Sequence, residues 1–421
     1  MTFEELYRTM LKQAVEKGSV QADDLEASAG HLDCLLHPQD HPLVWPLNPC
    51  TCPKEETHCA AACLFDAIVR RDDGTLAVDP DRCSGCGACI QACQSGNLTA
   101  SRDVLPALDA VKHAKGPVYA LIAPAFLGQF STVVTPGRLR SAFKLLGFTG
   151  MVEVALFADL LTLKEALEFD RNIHTETDFQ LETIHSPGDY LLTSCCCPMW
   201  IGMIRKLYHE LMPHVPGAVS PMIAAGRTVK KLHPDAVTIF VGPCIAKKAE
   251  AREADLAGAV DYVLTFQEMQ DIFQAADIHP ELLEESERDH SSRAGRIYAR
   301  TGGVSEAVRT TVARLHPERP IQVRTRQADG VPACRAMIED IRSGQHQANF
   351  FEGMGCTGGC VGGPKVLLDR ETGRENVDRY GDEAEFSTPL DNPYVLKLLR
   401  LLGFDTVEEF LEQSDIFIRH F

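Results

Sequence analysis

Short apolar segments alternate with amphipathic ones in the part of the chain that follows residue 115. The apolar segments have the length of buried strands, and those between them, such as SAFKLLGF (141–148) and MIRKLYHELM (203–212), have helical periodicity. This alternation predicts an α/β fold. The predicted strands are VYALIA (118–123), MVEVALF (151–157), DYLLTS (189–194), AVTIFVG (236–242), DYVLTF (261–266), PIQVRT (320–325) and QANFFEG (347–353).

Three of these strands run directly into cysteines. The junctions are Ser194-Cys195, Gly242-Pro243-Cys244 and Met354-Gly355-Cys356. In α/β folds the ligand crevice lies at the carboxyl ends of the strands, so we expect these cysteines to converge on one site.

The length of 421 residues predicts more than one domain. A charged, helix-compatible stretch, Ser101 to Lys115, leads into the first predicted strand, and we place a boundary near residue 105. The predicted domains are a helical N-terminal extension (1–45), a cysteine-rich domain (46–105) and an α/β domain (106–421).

Net charge and hydropathy argue against several classes of function. Forty-one Lys and Arg against 59 Asp and Glu give a formal net charge of -18, which argues against binding to nucleic acid or to an anionic membrane. No secretory signal follows Met1, and the longest apolar run, Val118 to Phe130, is too short to span a bilayer. We therefore expect a cytoplasmic protein.

The sixteen cysteines form two groups, nine between Cys34 and Cys93 and seven between Cys195 and Cys360. In a reducing compartment such clustering favours metal ligation over disulfides. The segment CSGCGACIQAC gives Cys83, Cys86, Cys89 and Cys93 the C-x2-C-x2-C-x3-C spacing by which bacterial ferredoxins hold cubane clusters. A distorted second copy precedes it, at Cys50, Cys52, Cys59 and Cys63.

The cysteine-rich domain thus resembles two-cluster ferredoxins, in which the fourth cysteine of each run ligates the other cluster. The resemblance implies one [4Fe-4S] cluster on Cys83, Cys86, Cys89 and Cys63, and another on Cys50, Cys52, Cys59 and Cys93. The usual proline after each fourth cysteine is missing, and a zinc site is the alternative. Cys34, near three histidines, is interpreted as a buried thiol rather than a ligand.

Three further motifs are TSCCCPMW (193–200), GPCIAKKAE (242–250) and EGMGCTGGCVGGP (352–364). Together they resemble the signatures of the iron-only, or [FeFe], hydrogenases, and the first resembles the subgroup often called group B. The resemblance spans roughly residues 46–400. It implies a two-lobed α/β catalytic domain, preceded by the two-cluster ferredoxin-like domain.

The resemblance also implies a catalytic cofactor, the H-cluster. It consists of a [4Fe-4S] cubane and a two-iron centre that carries CO, cyanide and an azadithiolate, with Cys360 bridging the two parts. The cubane ligands would be Cys197, Cys244, Cys356 and Cys360. Around the two-iron centre the implied residues are Lys247, paired with a cyanide, and Met354, Pro124, Ala125 (a serine in well-studied members), Ser220 and Pro221.

Proton transfer is implied for Cys196 and for Glu165 and Glu168, which lie one helical turn apart. Without the resemblance, the two glutamates would be interpreted as a solvated helix face. Pro216 stands where the family usually has a relay serine, and Cys195 is an additional thiol. Gly242 replaces a methionine, which we expect to loosen the packing there.

The implied reaction is the reversible formation of H2 from two protons and two electrons. A ferredoxin or flavodoxin would exchange the electrons, and dedicated maturation proteins would build the cofactor. Two alternatives stay open, a hydrogenase-like Fe-S scaffold without the two-iron centre and an H2 sensor.

Overall fold

The computed structural model describes residues 1–22, 25–50, 52–53, 57–179, 193–286 and 290–419. Within them the chain forms seventeen α-helices and ten strands. The helices are α1 (Phe3–Lys17), α2 (Ala29–Leu36), α3 (His58–Ala61), α4 (Ala88–Ala92), α5 (Val104–His113), α6 (Pro136–Leu146), α7 (Ala155–Asn172), α8 (Pro198–Leu207), α9 (Pro221–Leu232), α10 (Ala246–Ala251), α11 (Phe266–Ala275), α12 (Arg293–Arg296), α13 (Gly303–Leu315), α14 (Val331–Arg342), α15 (Arg370–Asp382), α16 (Pro393–Leu402) and α17 (Val407–Glu412). The strands are β1 (Val44–Pro46), β2 (Ile68–Arg70), β3 (Leu76–Val78), β4 (Leu98–Ala100), β5 (Val118–Ile122), β6 (Gly150–Glu153), β7 (Val237–Gly242), β8 (Tyr262–Thr265), β9 (Thr325–Asp329) and β10 (Phe350–Met354).

The cysteine-rich region is built from two small antiparallel pairs of strands. Strand β1 pairs with β4, and β2 pairs with β3. A small core that includes Val44, Leu76 and Leu98 also contains the side chains of Cys59 and Cys89. Because β1 begins at Val44 and β4 ends at Ala100, the strand pairing agrees with the expected extent of this region, while the domain boundaries themselves stay a prediction.

Two parallel sheets follow, as the α/β pattern predicts. The larger has the order β6-β5-β7-β8, and all its neighbouring strands are parallel. The smaller pairs β9 with β10, and Thr193 adds a parallel bridge to Phe351 of β10. Cysteines therefore follow strand segments in both sheets, Cys244 after β7 and Cys356 after β10.

Two predicted strands differ from the structure, and a third is largely outside the described residues. MVEVALF is a strand only to Glu153, because the apolar run continues as the buried start of α7, a distinction that periodicity does not make. PIQVRT is irregular before Thr325. There the Arg319 guanidinium donates to the Ile321 carbonyl and the Asn349 amide to the Gln322 carbonyl, so side chains replace a neighbouring strand. Of DYLLTS, the structure describes only the last two residues.

The N-terminal helix α1 links the two halves of the chain. It begins with a capping box between Thr2 and Glu5, and it packs against α5 and α11. Tyr7 donates a hydrogen bond of 3.2 Å to Asp271 on α11, and Glu4 pairs with Arg102 just after β4. None of the described helices combines the length and apolarity that a membrane span needs.

Trp200 fixes the place where the first cysteine motif meets β10. Its ring is fully buried, and its indole N-H donates a 2.8 Å hydrogen bond to the Thr193 hydroxyl. The ring lies against Gly353, where a Cβ atom would be 2.0 Å from a ring carbon. Only glycine leaves room for this contact.

We predict that Gly353→Ala lowers the free energy of unfolding by about 1–3 kcal/mol or more, since the added methyl group overpacks the Trp200 site. Thermal denaturation followed by circular dichroism measures the loss. Gly150→Ala is the matched control, because a Cβ at that strand position meets its nearest atom at an ordinary 3.6 Å. Equal melting temperatures for the two variants would contradict the prediction.

Candidate metal centres

Four cysteines from three segments converge beside the ends of β7 and β10. Cys197 is the N-cap of α8, Cys244 lies between β7 and α10, and Cys356 follows β10. The Gly355 N-H donates to the Cys197 sulfur at 3.3 Å, which joins the first motif to the third. Burial raises the pKa of Cys356 well above its usual range, and neighbouring thiolates at Cys244, Cys197 and Cys360 raise it further.

The same effect on the pKa holds for two other members of this set, Cys244 and Cys360. Burial and then the Cys197 thiolate raise the pKa of Cys244 to about 11, and burial with Cys197 and Cys244 raises the pKa of Cys360 to about 12. Four thiolates would repel one another here without a cation between them, which is the situation that bound iron relieves. The donor set therefore fits an iron-sulfur cluster.

The cysteine-rich region brings together both of its predicted ligand sets. Burial, with Cys86, Cys83 and Cys63 as its main sulfur neighbours, raises the pKa of Cys89 to about 12. The four cysteines of the other predicted set line one cavity. They are Cys50, Cys52, Cys59 and Cys93.

The Cys83–Cys86 loop packs directly against the four-cysteine set. The pKa of Cys356, raised first by its own burial, is also raised by Cys86 across this contact. Gly85, at φ +69°, lies so close to α10 that a Cβ would be 3.1 Å from the Ala246 Cα atom. The helices that begin just after Cys197 and Cys244 thus hold the loop between them.

Lys247 lies buried beside the four-cysteine set, as its predicted role requires. Its ammonium donates to the Glu250 carboxylate at 2.7 Å and to the Cys196 carbonyl at 3.2 Å. Burial alone would lower the pKa of this ammonium, but the Glu250 carboxylate raises it above its usual value, so the cation is retained. Glu250 was not among the predicted site residues, although its i+3 spacing from Lys247 indicates a possible ion pair on one helix face.

Other predicted cofactor-binding residues lie on neighbouring elements. Met354 is buried at the end of β10. Pro124 and Ala125 follow β5, whose end is joined to β7 by a 2.9 Å hydrogen bond from the Ala123 N-H to the Val241 carbonyl. These residues therefore lie at the same edge of the sheet as Cys244.

Ser220 and Pro221 start α9, which packs against α7 and the larger sheet. The Ser220 hydroxyl is buried and has no hydrogen-bond partner among the described residues. At Gly242 the Phe240 ring fills the space next to the Cα atom, 2.6 Å from where a Cβ would be. The expected looser packing around the two-iron centre stays a prediction.

The three residues predicted to carry protons form a buried group. Burial raises the pKa of the Cys196 thiol, and the Cys197, Cys360, Glu352 and Glu165 charges add to this effect. Burial and the nearby Glu168 carboxylate raise the pKa of Glu165 to about 8. Glu165 is 3% exposed and Glu168 is 5% exposed, so the interpretation as a solvated helix face is wrong.

The remaining unusual cysteines are buried thiols. Cys195 donates to the Pro216 carbonyl at 3.5 Å, so the backbone of Pro216 has a partner although its side chain offers none. Cys334 donates to the Met354 carbonyl at 3.3 Å, and Cys34 is 7% exposed. Of the histidines near Cys34, His31 bonds the Leu47 carbonyl and His41 pairs with Asp33, which agrees with the interpretation of Cys34 as a non-ligand.

Comparisons with known proteins agree with this chemistry. Residues 76–99 match a model of the 4Fe-4S binding domain. The chain is 27% identical over 286 residues to Iron hydrogenase 1 of Clostridium pasteurianum, which covers 58% of this chain and 48% of that protein. It is 25% identical over 374 residues to the NADP-reducing hydrogenase subunit HndD of Solidesulfovibrio fructosivorans, which covers 75% of this chain and 62% of that protein. The chain thus spans about half to three fifths of the length of these relatives.

Solved structures show the same fold at low sequence identity. One, described as the structure of HydA(deltaEFG) in stepwise [FeFe]-hydrogenase H-cluster assembly, has a TM-score of 0.61 at 22% identity, covering 76% of this chain and 98% of that one. A variant of the apo [FeFe]-hydrogenase HydA1 from Chlamydomonas reinhardtii has the same TM-score and coverage at 21% identity.

The family model described as iron only hydrogenase large subunit, C-terminal domain, matches residues 116–364, a range that holds all four converging cysteines. Since this match covers more than half of the chain, the chain belongs to the iron-only hydrogenase family.

Proposed function

We propose that this chain catalyses the reversible conversion of two protons and two electrons into H2 at an H-cluster, as a member of the group B type. The observation that carries the proposal is the convergence of four half-buried thiols with a retained cation, Lys247, and a fifth thiol, Cys196. A simple electron-transfer cubane needs the four thiols but not the other two groups.

The cubane ligands in this proposal are Cys197, Cys244, Cys356 and Cys360. When bound, the two-iron centre supplies the site at which protons and electrons combine. Lys247 offers its ammonium to a cyanide by a charge-assisted hydrogen bond, while Met354, Pro124, Ala125, Ser220 and Pro221 shape the surrounding pocket. The two sheets would belong to two lobes, with Cys244 contributed from one and Cys356 from the other.

Electrons would pass through two [4Fe-4S] clusters in the cysteine-rich domain. The cluster on Cys63, Cys83, Cys86 and Cys89 would be the nearer to the catalytic site, since Cys86 acts electrostatically on Cys356. The external partner would be a ferredoxin or flavodoxin in the cytoplasm, and maturation proteins would insert the two-iron centre.

Protons would pass between Cys196 and the buried glutamates. Glu165 acts electrostatically on Cys196 and accepts a 3.4 Å hydrogen bond from the Tyr298 hydroxyl. A carboxyl group with a pKa of about 8 binds and releases protons near neutral pH, which suits a relay. Glu168 follows one turn later on α7.

Infrared spectroscopy of the anaerobically matured chain tests the proposal. We expect bands of iron-bound CO and cyanide that respond to H2, together with H2 evolution by the same sample. Absence of both, with iron and sulfide matching three cubanes, would replace the proposal by the Fe-S scaffold alternative.

We predict that Cys63→Ser and Cys86→Ser change the same cluster, because each removes one ligand of one set. Their electron paramagnetic resonance spectra in the reduced state should therefore match, while Cys93→Ser should give a different spectrum. Cys34→Ser is the control and should leave the spectrum unchanged. A Cys63→Ser spectrum that instead matches that of Cys59→Ser would refute the crossed assignment.

We predict that Glu165→Gln lowers the H2-evolution rate by about tenfold or more while the CO and cyanide bands persist, since an amide does not relay protons. Glu268→Gln, which changes a buried acid of α11, is the control for the loss of a buried carboxylate.

The contribution of Glu165 to the free energy of unfolding depends on pH. Burial raises the folded-state pKa of Glu165 from 4.5 to about 8, so its favourable contribution is complete below pH 4.5 and is lost as the pH rises to 8. The melting temperature of the wild type should therefore fall relative to Glu165→Gln between about pH 5 and pH 8. A constant difference would show that Glu165 does not retain its proton.

A further inference from the structure

A buried lysine lies next to the two glutamates of α7. Lys164 is 1% exposed, and its ammonium forms an ion pair with the Glu168 carboxylate one helical turn later. A buried ammonium is retained only where an anion offsets its lost hydration. Nothing in the proton path described above requires a cation at this position.

Three of the charged groups of α7, Lys164, Glu165 and Glu168, form a set whose charge is nearly balanced. Lys164 brings one positive charge, while Glu165 and Glu168 bring up to two negative charges. The second carboxylate oxygen of Glu168 is buried and has no hydrogen-bond partner among the described residues. Burial favours a neutral set, which arises when one of the two carboxyl groups is protonated.

Among the described residues, four other titratable groups act on this set. Tyr298 donates to Glu165, and the Glu352 carboxylate and the Cys195 and Cys196 thiols interact electrostatically with it. Several charged groups on the elements around α7 have partners elsewhere: Arg293 with Glu306 and Asp382, Arg296 with the Tyr380 carbonyl, Arg227 with the Asp415 carbonyl, Lys230 with Asp261, Arg314 with Asp391, Arg319 with Asp170, and Glu412 with Arg171. Arg309, Lys397 and Arg400 are exposed. Lys164 is therefore the cation that balances the two glutamates.

We propose that Lys164 is a positioning residue of the proton path, whose ammonium holds the Glu168 carboxylate in place beside Glu165, which carries the proton. The pair then contains one proton donor and one proton acceptor at neutral pH. This role rests on the proposed function, because it presumes that protons travel through these glutamates.

Removal of the ammonium has a predictable effect on the pair. Without a counter-ion, a buried carboxylate binds a proton more tightly, so both glutamates become protonated near neutral pH. The path then has two donors and no acceptor. Raising the pH removes one of these protons and restores an acceptor.

The test compares Lys164→Met and Lys164→Gln with the wild type, each as the full chain carrying its clusters. Infrared absorption of protonated carboxyl groups is followed against pH, with Glu165→Gln and Glu168→Gln assigning the bands. We expect one buried glutamic acid in the wild type near pH 7 and two in the Lys164 variants. The pH at which the first proton is lost should rise by about one unit or more, a tenfold tighter binding.

Activity provides the second readout. The acid limb of the pH-rate profile should move to higher pH by a similar amount, with about a tenfold loss near pH 7 that is partly recovered at higher pH. Lys164→Arg keeps the charge and should retain the wild-type profile. Lys248→Met is the matched control, since Lys248 is also fully buried and pairs with Glu268 away from α7, so it should lower stability without moving the profile.

The possible outcomes separate the two proposals. Unchanged carboxyl titration and an unchanged pH profile in both Lys164 variants would overturn the role of Lys164. A wild-type chain without CO and cyanide bands would overturn the proposed function instead, and the carboxyl titration can still be measured on that sample.

Discussion

The structure depends on the burial of thiol groups that repel one another once they are ionised. Cys197, Cys244, Cys356 and Cys360 come from three distant segments, and the pKa values of three of them are raised by burial and by the other thiolates. In the folded chain without metal, removing the protons of these three thiols costs free energy, because their pKa values are raised. In the proposed function, iron would replace those protons, and the fold and the cofactor would then stabilise each other. The parallel strands, the glycine at 353 and the helices α8 and α10 all serve to bring these sulfur atoms together.

Much of the site was predictable because its chemistry is concentrated in short motifs. The C-x2-C-x2-C-x3-C spacing and the cysteines after predicted strands identified both cluster regions, and the structure brings together each of the predicted ligand sets. Local spacing suffices where neighbouring residues must bind one cluster. The α/β alternation was also visible, since a parallel sheet leaves near-continuous apolar strands.

Other features depend on contacts that spacing alone does not specify. The burial of Glu165 and Glu168 follows from helices packed around α7, and a helix with buried residues on nearly every side carries little amphipathic signal. The irregular path of residues 320–324 depends on Asn349, twenty-five residues later. The partner of Lys247 was local, yet nothing in the sequence indicated that Glu250 would be buried with it.

The close packing of Gly85 on Ala246 also bears on how fast electrons move. Electron tunnelling between clusters falls steeply with the distance between them, and a flexible tether would make that distance vary from molecule to molecule. Here the loop that holds Gly85 rests on α10, which begins two residues after Cys244, so the proposed ligands of two clusters lie on packed segments. Helix α1 joins the same two parts of the chain, since Glu4 pairs with Arg102 and Tyr7 donates a hydrogen bond to Asp271. In the proposed function, the distance between these two clusters would therefore be fixed, and variation in the rate of electron supply would arise where an external electron carrier binds.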